Sequence, residues 1–290
     1  MRAVKEMAYA KINLYIDVIG KRDDGFHAIS TVMHSVSLCD EVTVTLNSLG
    51  NENIRMVLDG NRRLPTDSKN LAVSAAAMFL SRAGIKADIT IKLNKKIPIA
   101  AGLAGGSADA AATLRALNKL FSRTFAERAL LSMAAELGSD VPYCLLSGTA
   151  LCEGRGEIIT RLPSALKLHT VIAVATEHVS TPKAYALLDA KYTDFKEPRA
   201  TDAKAAILDG AKSGVMPSGE LYNIFEGVIL PECPGAAKIK QAMLLFGATH
   251  AMMSGSGPSV FGVFDSKDKA ERACTELESL GFTAYYATSV

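Results

Sequence analysis

The sequence predicts an α+β fold divided between two domains, and three observations lead there. Residues Asp88–Leu93 alternate with period two as a half-buried strand does. A glycine-rich run follows and empties into a segment whose apolar residues recur at helical spacing. After Pro163 a second succession of strands and helices begins. A chain of 290 residues accommodates two domains of about 100–200 residues each, and the division is placed at 1–160 and 161–290.

Composition narrows the class. Hydrophobic residues at 49% and charged residues at 21% describe a globular chain with ample core and exclude a disordered or fibrous one. Lys plus Arg at 32 against Asp plus Glu at 30 leaves +2, too balanced for a protein whose partner is nucleic acid. The five cysteines (Cys39, Cys144, Cys152, Cys233, Cys274) are scattered and never form Cys-x-x-Cys, so neither a disulfide framework nor a metal site is expected. The first ten residues carry Glu6 and lack a continuous apolar run, and no stretch reaches the ~20 apolar residues of a membrane span. A cytosolic protein without a membrane partner is expected.

In chain order, the even positions Ala8, Ala10, Ile12, Leu14, Ile16 and Val18 form the core face of a long strand. Its odd face carries Tyr9, Lys11, Asn13, Tyr15 and Asp17. Lys11 and Asn13 thus point together away from that core, into solvent or into a ligand-lined space; for a lone strand lysine, solvent is the expectation. A turn at Gly20–Gly25 leads to Phe26-His27, then to separate strands at Ile29–Leu38 and Glu41–Leu46. The polar stretch 51–69 holds a strand at Ile54–Leu58, and Leu71–Ala83 is helical. After the strand at 88–93, Pro98 prevents continuation. Ala110, Leu114, Leu117 and Phe121 then mark a helix that Ser107 is suited to cap, with Asp109 in its first turn. A helix at Ala126–Leu137 stops at Gly138, and a short helix follows with Pro142 at its first position. Strands at Thr149–Cys152 and Glu157–Arg161 close the first half. The second half reads as a strand at His169–Ala175, helices at Thr181–Leu188, Ala203–Ala211 and Gly219–Val228, and a helix ending at Phe246. A hairpin of Thr249–Ser254 and Ser259–Phe264, a helix at Lys267–Leu280 and a strand at Phe282–Thr288 complete it.

The run Pro98-Ile99-Ala100-Ala101-Gly102-Leu103-Ala104-Gly105-Gly106-Ser107-Ala108 lies between strand and helix, where free backbone N–H groups and the positive end of a helix dipole favour an anion. No lysine follows the glycines, which excludes a Walker loop, and the insertion from Asn94 to Ala101 argues against a dinucleotide fingerprint. A phosphate cradle is one reading; an ordinary glycine connection is the other. Asp140 is a helix cap or a catalytic carboxylate. His27 is a turn histidine or a ligand, and Gly255-Ser256-Gly257 is a hairpin turn or a second cradle.

Taken together, Ala10-Lys11-Ile12-Asn13-Leu14, Asp24-Gly25-Phe26-His27, the 98–109 run, Gly138-Ser139-Asp140-Val141-Pro142 and Ser254-Gly255-Ser256-Gly257-Pro258-Ser259 resemble, in order and over nearly the full length, one family. It is the 4-diphosphocytidyl-2-C-methyl-D-erythritol kinase family of the galactokinase, homoserine, mevalonate and phosphomevalonate (GHMP) kinases. The resemblance implies an N-terminal domain like domain 2 of ribosomal protein S5, a ferredoxin-like C-terminal α/β sandwich, and substrate in a cleft between them. It implies ATP and Mg²⁺ as cofactors and a cytidine diphosphate-linked methylerythritol as the small-molecule partner, phosphorylated on its 2-hydroxyl in non-mevalonate isoprenoid synthesis. Asp140 would be the base with Lys11 beside it, and ATP would lie on Lys95, residues 98–108 and Gly255, Ser256 and Gly257. Asn13, Phe26, His27, Thr181 and Tyr185 would hold the substrate. The alternatives are another GHMP kinase, acting on a sugar, homoserine or mevalonate, and a silent ligand sensor. Two residues depart from the pattern: Phe26 stands where many members have Tyr, and Ala104 replaces a glycine and is tolerable only at negative φ.

Overall fold

A computed structural model of the chain describes residues 2–60, 64–163, 166–177, 179–192, 195, 199–219 and 221–290. Residues 61–63 of the predicted polar stretch, and 193, 194 and 196–198 of the connection before Ala200, lie outside these. The chain forms two compact units, Met1–Ala10, Cys39–Ile99 and Ala104–Leu146 in one, and Lys11–Leu38, Ala100–Leu103 and Ser147–Val290 in the other. The units are interleaved because β1 (Arg2–Lys21) and β2 (His27–Leu49) each contribute one end to each. The expected core face of β1 is buried from Ala8 to Val18. Its odd positions Lys11, Asn13, Tyr15 and Asp17 are buried as well, which corrects the solvent expectation for Lys11. Where two strands were expected, β2 is continuous. Asp40, which interrupts the apolar pattern there, stays buried because its carboxylate accepts the N–H groups of Lys96 and Ile97 and the Lys95 ammonium.

In the first unit, β3 (Asn53–Asp59) runs parallel to β4 (Ala87–Asn94), and β4 pairs antiparallel with Glu41–Leu49 of β2. Ile89, Ile91 and Leu93 are fully buried, as their alternation predicts. Asn70 caps α1 (Leu71–Ala83), accepting from Ala72 N–H, and Gly84 ends it in the left-handed region. The helix packs on α2 (Gly105–Leu120), and both helices bury small residues, among them Ala72, Ala76 and Ala111. Then come α3 (Glu127–Leu137) and α4 (Val141–Leu146), in which Pro142 is the second residue.

In the second unit, β5 (Thr149–Gly154) pairs with Ile29–His34 of β2 and with β6 (Ile158–Arg161). The rest comprises β7 (His169–Val174), α5 (Thr181–Lys191), α6 (Thr201–Ser213), β8 (Tyr222–Asn223), α7 (Glu226–Ile229), α8 (Pro234–Leu245), β9 (His250–Met253), β10 (Ser259–Phe264), α9 (Lys267–Ser279) and β11 (Thr283–Thr288). The sheet order β11-β7-β10-β9, all antiparallel with α8 and α9 packed against it, is the ferredoxin-like arrangement. Among the described residues the helix expected over 219–228 is confined to α7, from Glu226. Tyr222–Asn223 instead pairs parallel with Tyr15–Ile16, since the Asn223 side chain bonds to backbone groups and competes with helix. Among the described residues no helix is long and apolar enough to cross a membrane.

Candidate active site

The glycine-rich loop has positive φ at every second residue: Ala100 (53°), Gly102 (76°) and Ala104 (56°). Alternation of this kind turns successive N–H groups toward one side, as anion-binding nests do. Ala104 is thereby corrected from the negative φ required of it, and an alanine held there costs about 1–2 kcal/mol. It is also the residue before α2, so Ser107 is not the cap, and Asp109 lies beyond the first turn. The first N–H groups of α2, from Gly105 onward, keep their dipole-enhanced donor character. Gly105 has no positive φ. A Cβ there would sit 2.9 Å from Lys95 Nζ and 3.0 Å from Ile97 Cγ2, so close packing is what requires glycine.

In the second unit the loop residue Gly102 meets the turn 254–258. A Cβ on Gly102 would lie 2.2 Å from the Ser254 carbonyl oxygen. Ser254 Oγ donates to Gly102 O at 3.0 Å, and Ser259 N–H donates to Ala101 O. Lys11 Nζ donates to the same Gly102 O and to Asn13 Oδ1, both at 2.7 Å. Asn13 Nδ2 in turn donates to Thr31 Oγ1, and Thr31 Oγ1 to Tyr15 O. Lys11, Asn13, Gly102 and Gly255 are thus brought together, with the Lys11 ammonium oriented at the point where two glycine loops touch. Thr181 Oγ1 lies 3.1 Å from Ser256 Oγ, which joins another substrate candidate to the second turn.

In the first unit, Lys95 is 8% exposed and donates to Asp40 Oδ2 at 2.5 Å and Asp109 Oδ2 at 2.7 Å. Burial, working against the attraction of Lys95 and reinforced by Asp40, pushes the Asp109 carboxyl up to about 8. Its Oδ1 has no hydrogen-bond partner among the described residues. Two buried acidic side chains therefore hold Lys95 in an internal cluster. Asp140 directly precedes α4, and its carbonyl accepts from Cys144 N–H. Arg115 holds that helix from its far end, donating to Cys144 O and Leu145 O and also to Met7 O.

His27 stacks on Tyr185 at 4.7 Å and 27°, and its Nε2 lies 2.8 Å from Asp189 Oδ1, which also pairs with Lys21. Burial works to raise the Asp189 carboxyl, and the hydrogen bonds from His27 and Lys21 outweigh it, so its pKa is lowered. A carboxylate only accepts, so this bond requires the hydrogen on Nε2 and leaves Nδ1 of a neutral ring as an acceptor. Phe26 is half exposed with the Arg155 guanidinium 5.0 Å from its ring centre.

The family model described as GHMP kinases N terminal domain matches residues 70–148, and that described as GHMP kinases C terminal matches 203–282. A protein of Caldicellulosiruptor saccharolyticus named 4-diphosphocytidyl-2-C-methyl-D-erythritol kinase is 42% identical over 93% of this chain and 91% of its own. The chain belongs to the 4-diphosphocytidyl-2-C-methyl-D-erythritol kinase family of GHMP kinases. A Bacillus subtilis member of the family is 40% identical over 93% of this chain and 91% of its own. A crystal structure of a 4-(cytidine 5'-diphospho)-2C-methyl-D-erythritol kinase superposes with a TM-score of 0.82 at 31% identity, covering 98% of each chain. The homoserine kinase of Cytophaga hutchinsonii shares the fold, with a TM-score of 0.74 at 24% identity over 100% of this chain and 95% of its own. Members of the family are ATP-dependent phosphotransferases, and the GHMP fold expected from the motifs is the one present. In this kinase-family chain, sequence reasoning passed over Asp40, Arg115 and Asp189. Each is a charged residue in an unremarkable sequence setting, and only its distant partners mark it out.

Proposed function

We propose that the protein transfers the γ-phosphoryl group of ATP to the 2-hydroxyl of 4-diphosphocytidyl-2-C-methyl-D-erythritol, as a cytoplasmic enzyme of the non-mevalonate route to isoprenoid precursors. The observation that carries the reading is Lys11, buried and hydrogen-bonded to Gly102 O where the two glycine loops meet, in a chain whose 40–42% identical relatives bear that name. The N-terminal ATP-binding portion spans 1–160 and the C-terminal portion 161–290. Loop 98–108 and the turn 255–257 cradle the phosphates through backbone N–H groups. The 2-hydroxyl oxygen attacks the γ-phosphorus and its proton passes to the Asp140 carboxylate. The bond from the γ-phosphorus to the bridging oxygen breaks, and ADP leaves with that oxygen. The Lys11 ammonium, directed by Asn13 and Gly102, stabilises charge on the transferring group.

Among the described residues no three His, Cys, Asp or Glu side chains form a metal cluster. Mg²⁺, brought in on the ATP phosphates with most of its waters, would neutralise phosphate charge. Arg115 acts at a distance by holding α4 and hence the Asp140 backbone. Phe26 and Tyr185 stack the cytosine, a sequence-tolerant contribution of roughly 1–3 kcal/mol. Nδ1 of His27 accepts from the exocyclic amino group, for which uracil offers an acceptor instead.

The test is ADP release with Mg-ATP, comparing the cytidyl substrate with its uridine analogue, galactose, homoserine and mevalonate. Turnover confined to the cytidyl compound is expected; equal use of the uridine analogue, or preference for another acceptor, refutes the reading. Asp140→Asn is expected to keep ATP affinity and lose about 10²–10⁴-fold in turnover.

A further inference from the structure

The segment Asn223-Ile224-Phe225-Glu226, expected to be helical, directs two side chains onto one short piece of backbone. Met253 ends β9, the edge strand of its sheet, so one side of it has no ladder partner. Asn223 Nδ2 donates to Met253 O at 2.7 Å and to Gly255 O at 2.9 Å, and Glu226 Oε1 accepts from Met253 N–H at 2.9 Å. Both side chains are themselves fixed. Asn223 Oδ1 accepts from Phe225 N–H, the adjoining Ile224 N–H donates to Ile16 O of β1, and Glu226 Oε2 pairs with Lys240 at 2.6 Å. The Met253 side chain continues the linkage, since a Cβ on Gly257 would lie 2.6 Å from its Sδ. Beyond Met253 the turn is built on Gly255 (φ 56°) and Gly257 (φ 78°), the residues with the most conformations to lose. A Cβ on Gly255 would stand 3.2 Å from Lys11 Nζ, so a displaced turn also displaces the surroundings of that ammonium.

We propose that Asn223 and Glu226 are positioning residues of the second glycine turn. They hold Met253–Gly255 so that the turn meets the nucleotide phosphates already shaped. This rests on the reading of 255–257 as a phosphate contact. An unclamped turn must be ordered when nucleotide binds, and that cost appears as lost ATP affinity. The clamp reaches the acceptor site only through the turn's contacts with Thr181 and Lys11, so acceptor binding is expected to change less than ATP binding.

The experiment measures Mg-ATP affinity by calorimetry without acceptor, KM for each substrate, kcat and thermal unfolding, for the full-length parent and for Asn223→Ala, Asn223→Asp and Glu226→Gln. Asn223→Ala is expected to weaken ATP binding about 10-fold, the worth of roughly one hydrogen bond, with acceptor KM within about two-fold. Asn223→Asp keeps the acceptor for Phe225 N–H but turns an anion toward two carbonyls. Its deficit in ATP affinity is expected to shrink as pH falls from about 8 to about 6 and the protonated carboxyl donates again. Glu226→Gln retains the acceptor for Met253 N–H, so a loss within about three-fold is expected. Unchanged ATP affinity in Asn223→Ala, even with lowered thermal stability, overturns the proposal. Should that variant fail to fold, an Asn223→Asp deficit that does not vary with pH overturns it. A parent that binds ATP yet phosphorylates no cytidyl substrate refutes the proposed function, while ATP affinity of the variants still decides the clamp. A parent without ATP affinity overturns both.

Discussion

Two buried lysines, one in each unit, are held in opposite ways. Lys11 donates to two neutral oxygens, Asn13 Oδ1 and Gly102 O, whereas Lys95 donates to two acidic side chains, those of Asp40 and Asp109. Neutral acceptors orient an ammonium, and acidic partners bind it into an ion cluster. Lys11 ties β1 to the glycine loop, while Lys95 joins Asp40, within β2, to the second turn of α2. Residue type and burial are the same, so only the partners separate a candidate catalytic lysine from an architectural one.

The largest effect that sharpens this contrast is expected from Lys95→Met. Removing the cation leaves the buried Asp40 carboxylate without its counter-charge, and denaturant unfolding should show a loss of about 3–5 kcal/mol. If stability were unchanged and ATP affinity lost, Lys95 would be a nucleotide ligand and the contrast would collapse. Lys11→Met should show the converse: turnover lower by about 10²–10³-fold, the worth of one preorganised donor to transition-state charge, with only about 1–3 kcal/mol of stability lost. Normal turnover in that variant would remove Lys11 from the chemistry.

Smaller effects are expected from the glycines that touch each lysine. Gly102→Ala places a methyl 2.2 Å from Ser254 O at a φ of 76°, so it should lower stability by about 1–3 kcal/mol and weaken ATP binding. Gly105→Ala presses on Lys95 Nζ at 2.9 Å and Ile97 Cγ2 at 3.0 Å without the strain of a positive φ, and should cost less stability and ATP affinity than Gly102→Ala, read by denaturant unfolding and calorimetry. A larger penalty at Gly105 would reverse the order that the packing implies.

The smallest effect is a pH dependence. Asp109, with a carboxyl raised from 3.8 to about 8, favours the folded state when protonated. Its contribution is full below pH ~4 and is lost as pH rises toward about 8. Asp109→Asn, a mimic of the protonated form, should therefore gain stability relative to the parent across that interval. A difference in unfolding free energy that stays flat with pH would show that Lys95 keeps Asp109 ionised throughout.

The sequence by itself determined what local repetition encodes. Alternation at Ile89, Ile91 and Leu93 specifies β4, the stripe of α1 runs between Asn70 and Gly84 as cap and stop, and the hairpin of β9 and β10 follows from the glycine turn between apolar runs. The candidate site was legible in its backbone parts, because glycines in series mark the places where a chain must turn or approach closely. Tertiary structure decided the side chains. Lys11 carries no sequence sign that Gly102, 91 positions away, will accept its hydrogen bond, and Lys95 none that Asp40 and Asp109 will surround it. Asn223 reads as part of a helix until Met253 and Gly255 arrive to take its amide. The physical reason is common to all three. A polar side chain is buried only when partners satisfy it, and partners remote in sequence leave no periodic trace near the residue they satisfy.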